Sequence, residues 1–149
     1  MQVTNHMLLV FPSLSRNESF ARQAVAAFAL QVGDWTMQEL DEITTAISEA
    51  VTNVIIHGYE QRTGEVRVRA NILDEQGLEI LVEDDGVGIP DVARAREPMF
   101  TTKPEQERTG MGFSFMESFM DELEVTSTPG QGTIVRMIKW QVSPPETGA

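Results

Sequence analysis

Three short stretches place chemistry-bearing side chains and glycines in a fixed order: Glu49-Ala50-Val51-Thr52-Asn53, Asp84-Asp85-Gly86-Val87-Gly88 and Gly110-Met111-Gly112-Phe113. On a helix each residue advances about 100°, so Glu49 and Asn53 lie about 40° apart on one face. A carboxylate and an amide one turn apart can act as a general base and as an oxygen ligand for Mg²⁺, which prefers oxygen donors and keeps several waters. A solvated polar face is the plainer reading of such a pair. Ile56, at about 340° on the same wheel, interrupts that face and argues for a pocket wall.

The second stretch follows a period-two run in which Leu78, Ile80 and Val82 share a face with Asp84. Asp-Gly is common in tight turns, and a turn alone would account for it. A carboxylate on a core-facing position, however, is costly without a partner. An adenine amino group is a suitable one, because it donates and an ionised carboxylate only accepts. The third stretch opens a helix. Its amides can bind phosphate, and its glycines let backbone come close. It also reads as an ordinary glycine-rich helix start, and it is not a P-loop, since no Gly-x-x-x-x-Gly-Lys-Ser/Thr occurs. Lys103 and Arg108 flank the same segment, either as solvated charges or near a terminal phosphate. Together the three stretches read as parts of an ATP site.

The elements that must position these residues follow from periodicity and punctuation. Residues 7–11 read as a first strand closed by Pro12. Ser15 and Glu18 have capping-box spacing and predict a helix to about residue 31, broken by Gly33 and Asp34. Thr36 and Glu39 form a second such box and open a long helix ending near Gly58. Its apolar stripe, Leu40, Ile43, Ile47, Val51 and Val54, faces away from Glu49 and Asn53. Residues 65–73 alternate and predict a half-buried strand, and the next strand runs through residue 84. Residues 90–109, with Pro98 and Pro104, read as mostly irregular. A helix is expected over 112–120 and strands over 125–128 and 133–142, joined by the turn 129–132. Residues 1–142 then form one domain and 143–149 a flexible tail. Helices cluster between runs of strands, which predicts an α+β, two-layer α/β sandwich and not a doubly wound parallel sheet.

The 149 residues suit one domain with one core, and the net charge is −12. An acidic surface repels phosphate backbones, which argues against direct nucleic-acid binding. It repels ATP as well, so a nucleotide site must rely on backbone amides, a bridging cation or local bases. No cysteine is present, which excludes disulfides and thiolate metal sites. No apolar run approaches the roughly 18 residues of a membrane helix, and residues 1–10 lack a basic signal-peptide region. A cytoplasmic protein, with no membrane association, is expected. His6 and His57 are the only histidines and do not make a zinc site. His57, at a helix end before Gly58, reads as a C-terminal capping residue.

These stretches, in this order, resemble the N, G1 and G2 boxes of the GHKL ATPase/kinase superfamily, whose ATP-binding unit is the Bergerat fold. The resemblance extends over nearly the whole chain. Longer stretches, Ser48 through Tyr59, Asp84 through Pro90, Phe100 through Glu105 and Asn17 through Arg22, are similar to the anti-sigma-F factors of spore-forming Bacillus relatives. The resemblance implies an ATP-dependent serine protein kinase that holds a sporulation sigma factor inactive and phosphorylates an anti-anti-sigma protein on serine. It assigns Glu49 as general base and Asn53 as Mg²⁺ ligand. Asp84 would read adenine with Gly86 and Gly88 beside it, and Thr133, after Gly132, would support Asp84. Gly110, Met111, Gly112 and Phe113 would line the phosphates. An ATP lid between about residues 89 and 109 would carry Thr102, Lys103 and Arg108. Arg22 would bind partners, and a homodimer is implied; both faces of 133–140 carry apolar residues, so a second subunit can cover one of them. Residues 59–64, the turn 129–132 and the tail after Trp140 depart from the family pattern. Two other readings remain: a GHKL switch that binds a different regulator with little kinase activity, and a sensor histidine kinase fragment. Glu49 argues against the first, since a pure binding module needs no base. The second lacks an upstream helix pair with a phosphoacceptor histidine.

Overall fold

The computed structural model describes residues 2–60, 62–97 and 112–141. In these residues five strands form one antiparallel sheet in the order β1-β2-β3-β5-β4. They are β1 (Val3–Pro12), β2 (Glu65–Leu73), β3 (Gly77–Asp84), β4 (Glu122–Thr128) and β5 (Gly132–Trp140). Helices α1 (Asn17–Ala29), α2 (Met37–Asn53) and α4 (Gly112–Phe119) contribute to one core with the sheet, and a single short turn of helix, α3 (Val92–Ala95), precedes residue 98. The architecture is the expected α+β sandwich of two layers.

Alternation accounts for the sheet's two faces. Val66, Val68, Ala70 and Ile72 of β2 and Leu78, Ile80 and Val82 of β3 are buried toward the helices. Their neighbours on the other face form charged rows, with Arg69 bonded to Glu83 and Arg136 to Glu79, each at 2.6 Å. Ile43, Ile47 and Val51 of α2, with Ala46 and Ala50, fill the space between that helix and the sheet. The apolar stripe expected for α2 is therefore the buried face, and Glu49 and Asn53 are left off it.

The helix caps differ from each other. Thr36 and Glu39 form the reciprocal capping box: Glu39 N–H donates to Thr36 Oγ1 at 3.0 Å, and Thr36 N–H donates to Glu39 Oε1 at 2.9 Å. Thr36→Ala is expected to lower unfolding free energy by about 1 kcal/mol, measurable by urea titration. The box expected at Ser15 and Glu18 does not form. Arg16 is the capping residue and makes no side-chain cap bond, while Glu18 instead pairs with Arg22 at 3.0 Å. The i,i+4 ion pair competes with the cap for the same carboxylate. This helix ends at Ala29 with a 3₁₀ turn over Leu30–Val32. Strands β1 and β4 begin earlier than their apolar patterns show, because ladder bonds to neighbouring strands extend through polar residues such as Asn5 and Glu122.

Candidate functional site

The long helix changes its winding at the site. After Asn53 the chain continues as a π-helix over Val54–Gly58. Such wider turns recur at functional sites because they shift side chains out of the α-helical register. Here His57 and Gly58 come to line a cavity of about 710 Å³, together with Ala50, Asn53 and Val54. Ile56, expected as a pocket wall, is not among the residues that line this cavity. His57 lies in the last turn of this helix, as expected, and also lines the cavity.

Opposite this helix, β3 ends in Asp84, and β5 begins beside it: Asp84 pairs with Thr133 in the ladder. Both line the cavity, and both are buried, Asp84 at 6% exposure. Burial raises the Asp84 carboxyl above its ordinary pKa, and the adjacent Asp85 charge adds to this; backbone hydrogen bonds from Gly86 and Thr133 oppose it. Asp84 Oδ1 accepts the Gly86 N–H at 2.9 Å. Asp85 points to the other face of the sheet, where both its oxygens bond Arg67 at 2.8 and 2.9 Å. Those bonds hold its carboxyl below the usual range. Two adjacent aspartates thus separate in role: one closes a surface ion pair, the other is a buried acceptor at a cavity wall.

The turn after Asp84 is tightly built. A side chain on Gly86 would strike the Gly58 carbonyl, and Gly88, at φ +78° and packed against Thr128 and Pro129, holds a backbone form that favours glycine. Gly88, Val87 and Ile89 line the cavity, whereas Gly86 shapes the turn behind it. Ser127 ties this segment to the sheet. Its hydroxyl accepts the Ile89 N–H at 2.6 Å and lies 2.8 Å from Thr133 Oγ1. Ser127 gave no signal in the sequence, because a lone serine in an alternating strand reads as a solvated position.

At the far end of the cavity α4 begins. A Cβ built on Gly112 would lie 3.2 Å from Glu49 Oε2 and 3.4 Å from both Asn53 side-chain termini. The start of α4, Glu49 and Asn53 therefore meet at one point, though 59 to 63 residues separate them in the chain. Phe113 lines the cavity beside Gly112, and Met116 anchors the helix in the core. Thr102, Lys103, Arg108, Gly110 and Met111 lie outside the described residues. Arg22 sits on α1, away from the lining, with its side chain 43% exposed and bonded to Glu18 and Ser19.

The donor set suits an adenine nucleotide. A buried acceptor-only carboxylate sits at one end, and a helix N-terminus with room for close approach sits at the other. The Glu49 carboxylate and the Asn53 amide lie together beside that helix start. Among the described residues no group of three or more His, Cys, Asp or Glu is placed to hold a metal ion.

A family model described as the histidine kinase-like ATPase domain matches residues 11–139. An anti-sigma F factor of Caldanaerobacter subterraneus subsp. tengcongensis is 57% identical over 140 residues, covering 94% of this chain and 96% of that protein. The anti-sigma F factor of Pasteuria penetrans is 53% identical over 136 residues, covering 91% and 90%. Among solved structures, the RsbU and RsbW domains of a Mycobacterium tuberculosis protein superpose with a TM-score of 0.68 at 17% identity, over 95% of this chain and 34% of that one. That last likeness concerns the fold. The sequence matches run across the elements that build the cavity, and the chain belongs to the histidine kinase-like ATPase domain family and, within it, to the anti-sigma F factors.

Proposed function

We propose that this protein is a cytoplasmic, ATP-dependent serine kinase that inhibits a sporulation sigma factor and phosphorylates an anti-anti-sigma protein. The observation that carries the reading is the meeting of Glu49 and Asn53 with the Gly112 helix start, beside a cavity that Asn53, Gly112 and the buried Asp84 line and Glu49 does not. ATP bound with Mg²⁺ would supply the transferable phosphoryl group and the neutralising charge that such transfer requires. Asp84 accepts the adenine amino hydrogen, with Thr133 and Ser127 bracing the strand beside it. Gly88 leaves the base wall free of side chain. The amides at the start of α4 hold phosphate oxygens, and Asn53 offers its carbonyl oxygen to the cation. Glu49 takes the proton of the serine hydroxyl brought to the same point.

A nucleotide switch fits the same geometry. The lid expected over about residues 89–109 precedes the Gly112 helix start in sequence, and a γ-phosphate would order such a loop through amides and a cation. Partners would then read different surfaces with ATP and with ADP. The sigma factor is expected to bind more tightly with ATP, and the anti-anti-sigma protein to displace it, receive phosphate and stay when ADP remains. A second copy of the chain would cover the outer sheet face, where Leu8 and Val10 are 51% and 49% exposed and Ile134 lies in the same row as Val10.

The family resemblance assigns Arg22 to partner binding, and its half-exposed side chain on α1 is compatible with that role. Arg22→Glu is expected to weaken both partner complexes at least about ten-fold, as loss and reversal of an interface charge does. ATP affinity should stay unchanged, because Arg22 lies away from the cavity. Binding of each partner in ATP and in ADP, for wild type and Arg22→Glu, tests both statements. Equal sigma affinity in the two nucleotides rules out the switch, and an unaffected variant rules out the shared surface.

A further inference from the structure

The turn that carries Asp84 is held from behind by the end of the long helix. The π-helical segment leaves the Gly58 carbonyl to accept the Val87 N–H at 2.8 Å. Gly86 makes this approach possible, since any side chain there would collide with that carbonyl. The next residue, Tyr59, is 3% exposed, and its hydroxyl accepts the Asp85 N–H at 2.8 Å while donating to the Glu65 carbonyl. One phenol therefore joins the residue after Asp84 to the first residue of β2, and its donor and acceptor capacities are both used. The ring itself packs against Gly64, with the Arg62 guanidinium 5.1 Å from its centre on one face.

We propose that Tyr59 is a positioning residue for base recognition: its hydroxyl fixes the Asp85 amide and thereby aims the Asp84 carboxylate at the amino group of an adenine nucleotide. This rests on the reading of the cavity as an adenine-nucleotide site. The chemistry is that of a shared turn. Removing the hydroxyl leaves the Asp85 N–H and the Glu65 carbonyl unpaired in a part-buried place, and the turn relaxes to find other partners. The Asp84 oxygens move with it, because Asp84 and Asp85 share a peptide bond. Phenylalanine at position 59 keeps the ring contacts with Gly64 and Arg62, so only the hydrogen-bond bridge is lost.

The test is calorimetric binding of ADP and of inosine diphosphate to the full chain. Inosine carries an acceptor where adenine carries the amino donor, so the preference for ADP reports the aim of Asp84. Wild type should prefer ADP by about ten-fold or more, and Tyr59→Phe should cut that preference at least about three-fold, chiefly through weaker ADP binding. Gly86→Ala, which pushes the same turn away from Gly58, should act in the same direction. Trp35→Phe is the control for lost stability alone. Its indole N–H donates to the Ala29 carbonyl far along the chain from the turn, so this variant should melt earlier and keep the wild-type preference. An unchanged preference in Tyr59→Phe overturns the proposal, whatever its melting temperature. Should that variant not fold, an unchanged preference in Gly86→Ala overturns it. A wild type that binds both nucleotides equally overturns the adenine reading of the cavity itself, and this inference with it.

Discussion

Glu49→Gln is expected to bind ATP and ADP within about two-fold of wild type and to phosphorylate the anti-anti-sigma protein at least about 100-fold more slowly, the usual worth of a positioned general base. Glutamine has nearly the same volume, so α2 and the Gly112 contact are preserved. What it lacks is the ability to take a proton from the attacking hydroxyl. The nucleotide itself is held by other groups, Asp84 at the base and the start of α4 at the phosphates, and its affinity should barely change. Transfer of labelled γ-phosphate to the purified partner, measured beside calorimetric nucleotide binding, separates the two quantities. A normal phosphorylation rate in Glu49→Gln would make Glu49 structural and would favour a binding switch without catalysis. Loss of nucleotide binding together with phosphorylation would instead place Glu49 among the ligand-holding groups.

Asp84→Asn is expected to have two effects of opposite sign. ATP affinity should fall about ten-fold or more, because a charge-assisted bond to the adenine amino group is replaced by a neutral one whose amide donors can face the wrong way. The nucleotide-free protein should at the same time melt at a higher temperature near pH 7. The sign follows from linkage. Burial raises the native-state pKa of Asp84 above its unfolded value. The stability contributed by such a group is fully present below the unfolded pKa and is lost as pH rises through the native pKa. Above the unfolded pKa the burial of Asp84 is therefore a cost that asparagine removes. The gain should shrink as pH falls through the native pKa and vanish below the ordinary carboxylate range, where Asp84 is protonated in both states. Thermal melts at pH 7 and in that acidic range, with and without ADP, read both effects. Unchanged ATP affinity would remove Asp84 from base recognition. A variant less stable at neutral pH would show that the Gly86 and Thr133 bonds outweigh desolvation.

What the sequence determined by itself is local and periodic. The alternation of residues 65–73 matches β2 to the residue, because a strand with one buried face imposes a period of two on its side chains. The face of α2 that enters the core and the Thr36–Glu39 cap follow equally from spacing along one helix. Asp84 was legible as a buried carboxylate for the same reason, since it continues the inward face of β3. Tertiary structure decided everything that depends on two segments competing for, or sharing, one group. Glu18 has the spacing for a cap but turns to Arg22, and nothing in a four-residue window settles which partner a carboxylate takes. The π-helical end of the long helix, where His57 and Gly58 line the cavity, is hydrogen-bonded through the Gly58 carbonyl to Val87 in the turn after Asp84, far along the chain. Ser127 and Tyr59 were silent for a related reason. Each acts through a single hydroxyl that bridges elements distant in sequence, Ile89 to Thr133 in one case and Asp85 to Glu65 in the other. A periodic pattern records which face a residue occupies, but the partner of a hydrogen-bonding group is chosen only when the chain has folded and brought that partner within reach.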